Sequence, residues 1–151
     1  MNPGLEPAPE SVETFPLGVR RYYIENGQVA IIIGTGEMTR EAIDEWADAL
    51  LDTILKGAAD GGPVYVLSDT SSHRQGFSNY ARKRIMDIHG ALPQDVDVYG
   101  AMLLPASVMA QFVSIFLQNL MRITSKRLHA RSFTDRDAAL SWLNQMREIH
   151  S

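Results

Sequence analysis

The stretch "VYGAMLLPASVMAQFVSIFLQNLM", Val98 to Met121, contains no charged residue, and how it is read decides the fold. A membrane-spanning helix needs about 20 consecutive, predominantly apolar residues. Here Gly100, Pro105, Gln111, Ser114, Gln118 and Asn119 interrupt the run, so no integral membrane segment is expected. The stretch divides instead into a β-rich piece, "VDVYGAMLL", a turn at Pro105 or Ser107, and a helix from Val108 to about Ile123.

That helix is apolar over more of its circumference than one packing surface requires. At 100° per residue, Val108, Met109, Phe112, Val113, Ile115, Phe116, Leu117, Leu120, Met121 and Ile123 sweep roughly 240°, leaving a narrow edge of Gln111, Ser114, Gln118 and Arg122. A helix on one sheet face needs a stripe only somewhat wider than about 100°. A second protomer, a neighbouring helix in the core, or an apolar ligand held between this helix, the one before it and the sheet would each cover the surplus. Met109, Phe112 and Phe116 are the candidate interface or ligand residues, since Met and Phe suit an adaptable apolar surface.

Upstream, "VRRYYIENGQVAIIIG" sets Asn26-Gly27 between two β-rich runs, the signature of a two-residue hairpin turn. Thr39 is a candidate N-cap for a helix whose Ile43, Trp46, Ala47, Leu50, Leu51, Ile54 and Leu55 recur at helical spacing, with Gly57 expected to stop it. Glu41, Asp44, Glu45, Asp48 and Asp52 lie opposite, as a solvated face or a docking face for a basic partner. "PVYVLSD" reads as a strand, and a further helix runs from Ser78 to about His89. It carries Arg82-Lys83-Arg84, either solvated or a grip for an acidic partner.

Downstream, "LHARSF" is a strand, and Thr134 with Asp137 forms a capping box for a last helix facing inward through Ala138, Ala139, Trp142, Leu143, Met146 and Ile149. The order β-β-α-β-α-β-α-β-α predicts an α/β fold: an N-terminal hairpin, then a mixed, largely parallel five-stranded sheet with four helices and right-handed crossovers. Residues 1–18 hold Pro3, Pro7, Pro9 and Pro16 with few large apolar side chains, and are expected to be a disordered or loosely docked arm. Residues 19–151 are expected to form a single domain.

Composition narrows the function classes. With 14 Lys+Arg against 18 Asp+Glu, the net charge of -4 offers no basic footprint for nucleic acid. The absence of cysteine excludes disulfides, thiolate metal sites and cysteine nucleophiles. His73, His89, His129 and His150 are far apart and show no metal-ligand spacing, so neither metal nor cofactor is expected. The first residues show neither a basic start nor an apolar run, so no signal peptide is expected and the cytoplasm is the expected compartment. "GTGEMT", 34–39, sits where phosphate-cradling loops lie. It lacks a third glycine and places Glu37 beside the helix start, which leaves a tight turn.

The order of elements, with "VAIIIGTGEMTREAIDEWADALLDTI" and the closing "ARSFTDRDAALSWL" with its Ala-Leu-x-Trp-Leu run, resembles the STAS family, especially its stand-alone SpoIIAA-like, anti-sigma-factor-antagonist branch. The resemblance covers roughly residues 20–146. It implies a protein-interaction module and not an enzyme, and the related lipid-carrier fold suggests apolar ligand binding in some members.

The same resemblance draws attention to "VLSDTSSHRQGFS", residues 66–78. Anti-sigma antagonists carry a phosphorylatable serine in an Asp-Ser-Ser/Thr-Gly-Leu loop after this strand, where added phosphate acts electrostatically on an interface. Asp69-Thr70-Ser71-Ser72-His73 occupies that place without the Gly-Leu. Ser71, Ser72 and His73 are therefore the candidate regulatory loop, and loop amides satisfied by Asp69, Thr70 and Ser71 through Asx- and ST-turns are the structural alternative. A hydrolase would need these groups to converge from separate elements, and an imidazole adjacent in sequence to its serine has poor geometry for taking that proton. No catalytic residue is assigned. The expected function is that of a STAS-like regulatory interaction module, self-associating as a homodimer through the apolar helix or binding another protein, with a carrier of a small apolar, lipid-like ligand as the alternative.

Overall fold

A computed structural model describes residues 11–36, 39–72 and 78–150. The chain forms β1 (Glu13–Thr14), β2 (Arg20–Ile24), β3 (Val29–Ile33), α1 (Arg40–Ala59), β4 (Val64–Asp69), α2 (Asn79–Ala91), β5 (Val98–Leu103), α3 (Val108–Ile123), β6 (Leu128–Phe133) and α4 (Arg136–Ile149). The strands lie in sequence order in one sheet. The first two pairings are antiparallel and the last three parallel. This is the expected alternating α/β layout with four helices, broadly STAS-like. The sheet has six strands where five were expected, because two residues of the arm pair with β2.

Strands that follow one another in space, joined by crossovers of one hand, place their connecting helices on one face. Accordingly Ile43 and Trp46 of α1, Ala81 and Ile85 of α2, and Val113 and Leu117 of α3 share a core with Ala30, Ile32, Val66, Val98 and Met102 of the sheet. Alternate strand residues point the other way. Tyr22, Ile31, Tyr65, Leu67, Tyr99 and Leu103 meet Ala139, Leu140 and Leu143 of α4. On that face the register aligns Tyr65, Tyr99 and His129 across β4, β5 and β6. Their rings stack at 5.2 and 4.5 Å.

The acidic run of α1 is neither simply solvated nor free. Arg84 of α2 reaches Asp44 at 2.6 Å and Asp48 at 2.8 Å. Glu45 accepts from the backbone N–H groups of Leu17 and Val19, and Asp52 pairs with the buried Arg21 at 2.8 Å. Arg21 also pairs with Glu13 and lies over the Phe15 ring. Residues 11–18 of the expected arm are thus tied to β2 and α1, and residues 1–10 lie outside the described residues.

Three local expectations need correction. The hairpin loop is Glu25–Gln28, since Ile24 pairs with Val29. Glu25, Asn26 and Gly27 all take positive φ (54°, 57° and 83°), and Gly27 N–H donates to Ile24 O while Gln28 N–H donates to Glu25 O, so two overlapping turns, the second centred on Asn26-Gly27, close a four-residue loop where a two-residue one was expected. Gly57 does not end α1, which runs on to Ala59. A Cβ on Gly57 would meet Val64 Cγ2 at 2.9 Å, so this glycine admits close helix-to-strand approach. α4 is capped by Asp135, whose carboxylate accepts from Ala138 N at 3.1 Å, and not by Thr134. A charged acceptor one residue later both caps the amide and complements the helix dipole.

Among the described residues, no helix is long and apolar enough to cross a membrane.

Candidate functional site

The helix predicted from Val108 to about Ile123 forms and runs from Val108 to Ile123. Val113, Leu117 and Leu120 are buried against the sheet. Gln111 and Ser114 line a shallow surface hollow together with Ser132 and Phe133 at the end of β6, and Met121 Sδ accepts from Ala130 N of β6 at 3.3 Å. At 100° per residue, Met109, Phe112, Phe116 and Ile123 lie on the flank turned away from β6.

Of the three candidate residues, Phe112 is 59% exposed, while Met109 and Phe116 are half-buried and Phe116 packs against the core. Ile115 (56% exposed) and Ile123 (73%) belong to the same outer surface and were not singled out from the sequence. The signal lay in the wide apolar arc. Periodicity gives its width but not which side chains the sheet leaves uncovered.

Beneath α3 lies a cavity of about 70 Å³, bounded by α1, α2, α3 and the sheet. Trp46, Ile85, Leu117 and Leu120 close it from the helix side, and Gly100 and Ala130 lie on its sheet side. Among the described residues the polar pair deep within it is self-satisfied, the Trp46 indole N–H donating to Ser68 Oγ at 2.8 Å. At the end where α2 and α3 finish, His89 Nε2 lies 2.6 Å from Thr124 Oγ1, and Lys126 Nζ donates to Leu92 O at 2.7 Å. Partial burial, with the Lys126 charge beside it, holds the His89 imidazolium pKa below its ordinary value. His89 was considered from the sequence only as a possible metal ligand. Its place at the cavity rim follows from the closure of α2 onto Thr124.

The loop after β4 is ordered around Asp69, whose carboxylate accepts from Ser71 N at 3.0 Å and from Ser71 Oγ at 2.6 Å. Thr70 Oγ1 donates to Leu103 O at 3.1 Å, and Arg136 lies 3.6 Å from Asp69. Ser71 and Ser72 are exposed. His73, the third candidate, lies outside the described residues, as do Glu37 and Met38 of the glycine turn. The geometry around Asp69 is that of an Asx-turn, with no base within reach of Ser71 other than Asp69 among the described residues.

His129 pairs with Asp97 at 3.1 Å and His150 with the Tyr99 hydroxyl. Among the described residues no group of three or more His, Asp or Glu side chains is placed to hold a metal ion. No family model matches the chain, and neither a curated protein nor a solved structure matches it.

Proposed function

We propose that this chain is a non-catalytic, cytoplasmic interaction module of STAS-like type whose α3 pairs with α3 of a second copy. The observation that carries the proposal is the outer face of α3. Phe112, Ile115 and Ile123 are each more than half exposed on a helix without a single charge from Val108 to Met121.

Depletion of charge with enrichment of large apolar side chains marks the centre of protein interfaces. A second copy fits better than a charged partner for two reasons. The chain carries a net charge of -4, so most faces of two copies repel, whereas the one charge described on this face is Arg122, which donates to Asn119 Oδ1 at 3.1 Å. Asn119 lies within the exposed stripe and Gln118 beside it, and both side chains donate and accept hydrogen bonds, so a two-fold axis can pair them with their own kind. The loop at Ser71 and Ser72 lies at the opposite end of β4 from the cavity rim and is the place where phosphorylation would add charge to such a module.

Sedimentation equilibrium tests the reading. The parent chain is expected at the mass of two chains, and Phe112→Glu with Ile115→Glu at that of one, both with unchanged circular dichroism. A parent chain that stays monomeric at concentrations of about 100 μM, where interfaces of ordinary affinity are saturated, removes the proposal.

A further inference from the structure

Gly100 stands in the middle of β5, paired with Val66 on one side and Ala130 on the other. Glycine in a strand interior weakens it and often marks a close approach of something else. Here nothing among the described residues makes that approach. Gly100 does not take the left-handed backbone that favours glycine, and a Cβ built on it would meet only Val66 Cγ1, at 4.0 Å. Neither conformation nor crowding calls for a missing side chain. Its consequence is a hollow: the two smallest residues of adjacent strands sit side by side under α3, and the cavity opens above them.

We propose that this hollow is a binding site for a short-chain carboxylate, its alkyl end resting on Gly100 and Ala130 and its head group at the His89, Thr124 and Lys126 end.

The apolar part follows from the walls. Water in a cavity needs two to four polar partners, and the deep part offers none that is unsatisfied, because Trp46 and Ser68 bond each other. The size follows from the volume. A cavity of about 150 Å³ lined by similar residues takes up benzene, so about 70 Å³ corresponds to an alkyl end of about three or four carbons. The charge follows from the rim, where His89 and Leu92 line the cavity and bond Thr124 and Lys126 just outside it. Lys126 spends one of its three N–H donors on Leu92 O, which leaves two for an anion. Thr124 Oγ1 accepts from Lys126 N at 3.0 Å, and with His89 Nε2–H donating to the same oxygen its hydroxyl proton is left to donate to a carboxylate. The site faces the sheet and is independent of any pairing of α3.

Titration of the whole chain with sodium butyrate, sodium acetate and butan-1-ol, followed by methyl NMR, tests the site. Butyrate is expected to bind about tenfold more tightly than acetate, the worth of two added methylenes, and to shift the methyls of Leu117 and Leu120. Gly100→Val should fold, melt no lower than the parent and lose butyrate affinity by about tenfold or more, since its side chain occupies the hollow. Gly100→Ala, which the space accommodates without contact closer than 4.0 Å, should show the same trend to a smaller degree. Lys126→Gln should weaken butyrate and leave butan-1-ol unchanged. Equal affinity for acetate and butyrate, or unchanged butyrate binding in folded Gly100→Ala and Gly100→Val, overturns the site. Unchanged butyrate binding in Lys126→Gln overturns the placement of the head group.

Discussion

The indole N–H of Trp46 on α1 donates to the hydroxyl of Ser68 on β4 at 2.8 Å, with both residues buried. This bond fixes the tilt of a large ring over the strand at the centre of the sheet. Ser68→Ala strands a buried donor and is expected to cost about 1–3 kcal/mol in urea unfolding. In a Trp46→Phe background the same change should cost less, because no N–H remains to be orphaned, and the double-mutant cycle reads the difference. Equal costs in both backgrounds would mean that the bond adds nothing to the ring's packing.

The hairpin offers a test of backbone conformation free of packing effects. Gly27 has φ 83°, and a Cβ there would find nothing within 4 Å. Gly27→Ala therefore suffers only the left-handed penalty, about 1 kcal/mol, and Gly27→Asn less, since asparagine tolerates that region. Thermal unfolding of the two variants should rank them in that order below the parent.

His89 gives a pH dependence of definite sign. Burial first, and then the Lys126 charge, depress its folded pKa below the value of an unfolded histidine. As pH falls through about 6.5 the unfolded chain takes up a proton that the folded chain refuses, so stability declines there and stops declining below the folded pKa. His89→Gln should show a smaller loss of stability between pH 7.5 and pH 5.5 than the parent, measured by urea unfolding at each pH. A parent and variant with parallel pH profiles would contradict the linkage.

At the start of α4, Asp135→Ala is expected to cost about 1 kcal/mol and Thr134→Ala much less. The reverse ranking would restore the capping box that the sequence suggests.

That last pair shows how far the residues alone could be read. The existence and order of the helices and of five strands follow from periodicity, because burial on a sheet imposes spacings of two and 3.6 residues that composition cannot hide. The start of α3 at Val108 was legible because Pro105 and Ser107 bound it, and its end was read as about Ile123 from where the apolar spacing stops. Glycine was read less well. Gly57 has the look of a helix stop, but its reason for being glycine is Val64, a residue on another element that no local pattern connects to it. Gly100 was counted only as an interruption of an apolar run, and its effect appears only when register sets it beside Ala130. The β1 strand was hidden for a similar reason, since Glu13 and Phe15 gain their roles from Arg21 across the sheet edge. The excess apolar arc of α3 was visible, but the division between Val113 and Leu117 inside and Phe112 and Ile115 outside required the position of β6.

The contact between Met121 and Ala130 bears on a hazard common to open sheets. β6 is the last strand, and a bare rim of parallel backbone invites strand-by-strand accretion into fibrils. The thioether plugs the amide of Ala130, so an incoming chain must first evict a methionine anchored in the overlying helix. Oxidation of that sulfur to the bulkier, polar sulfoxide would change both this contact and the packing of α3 against β6, so the guard on this rim is sensitive to oxidants.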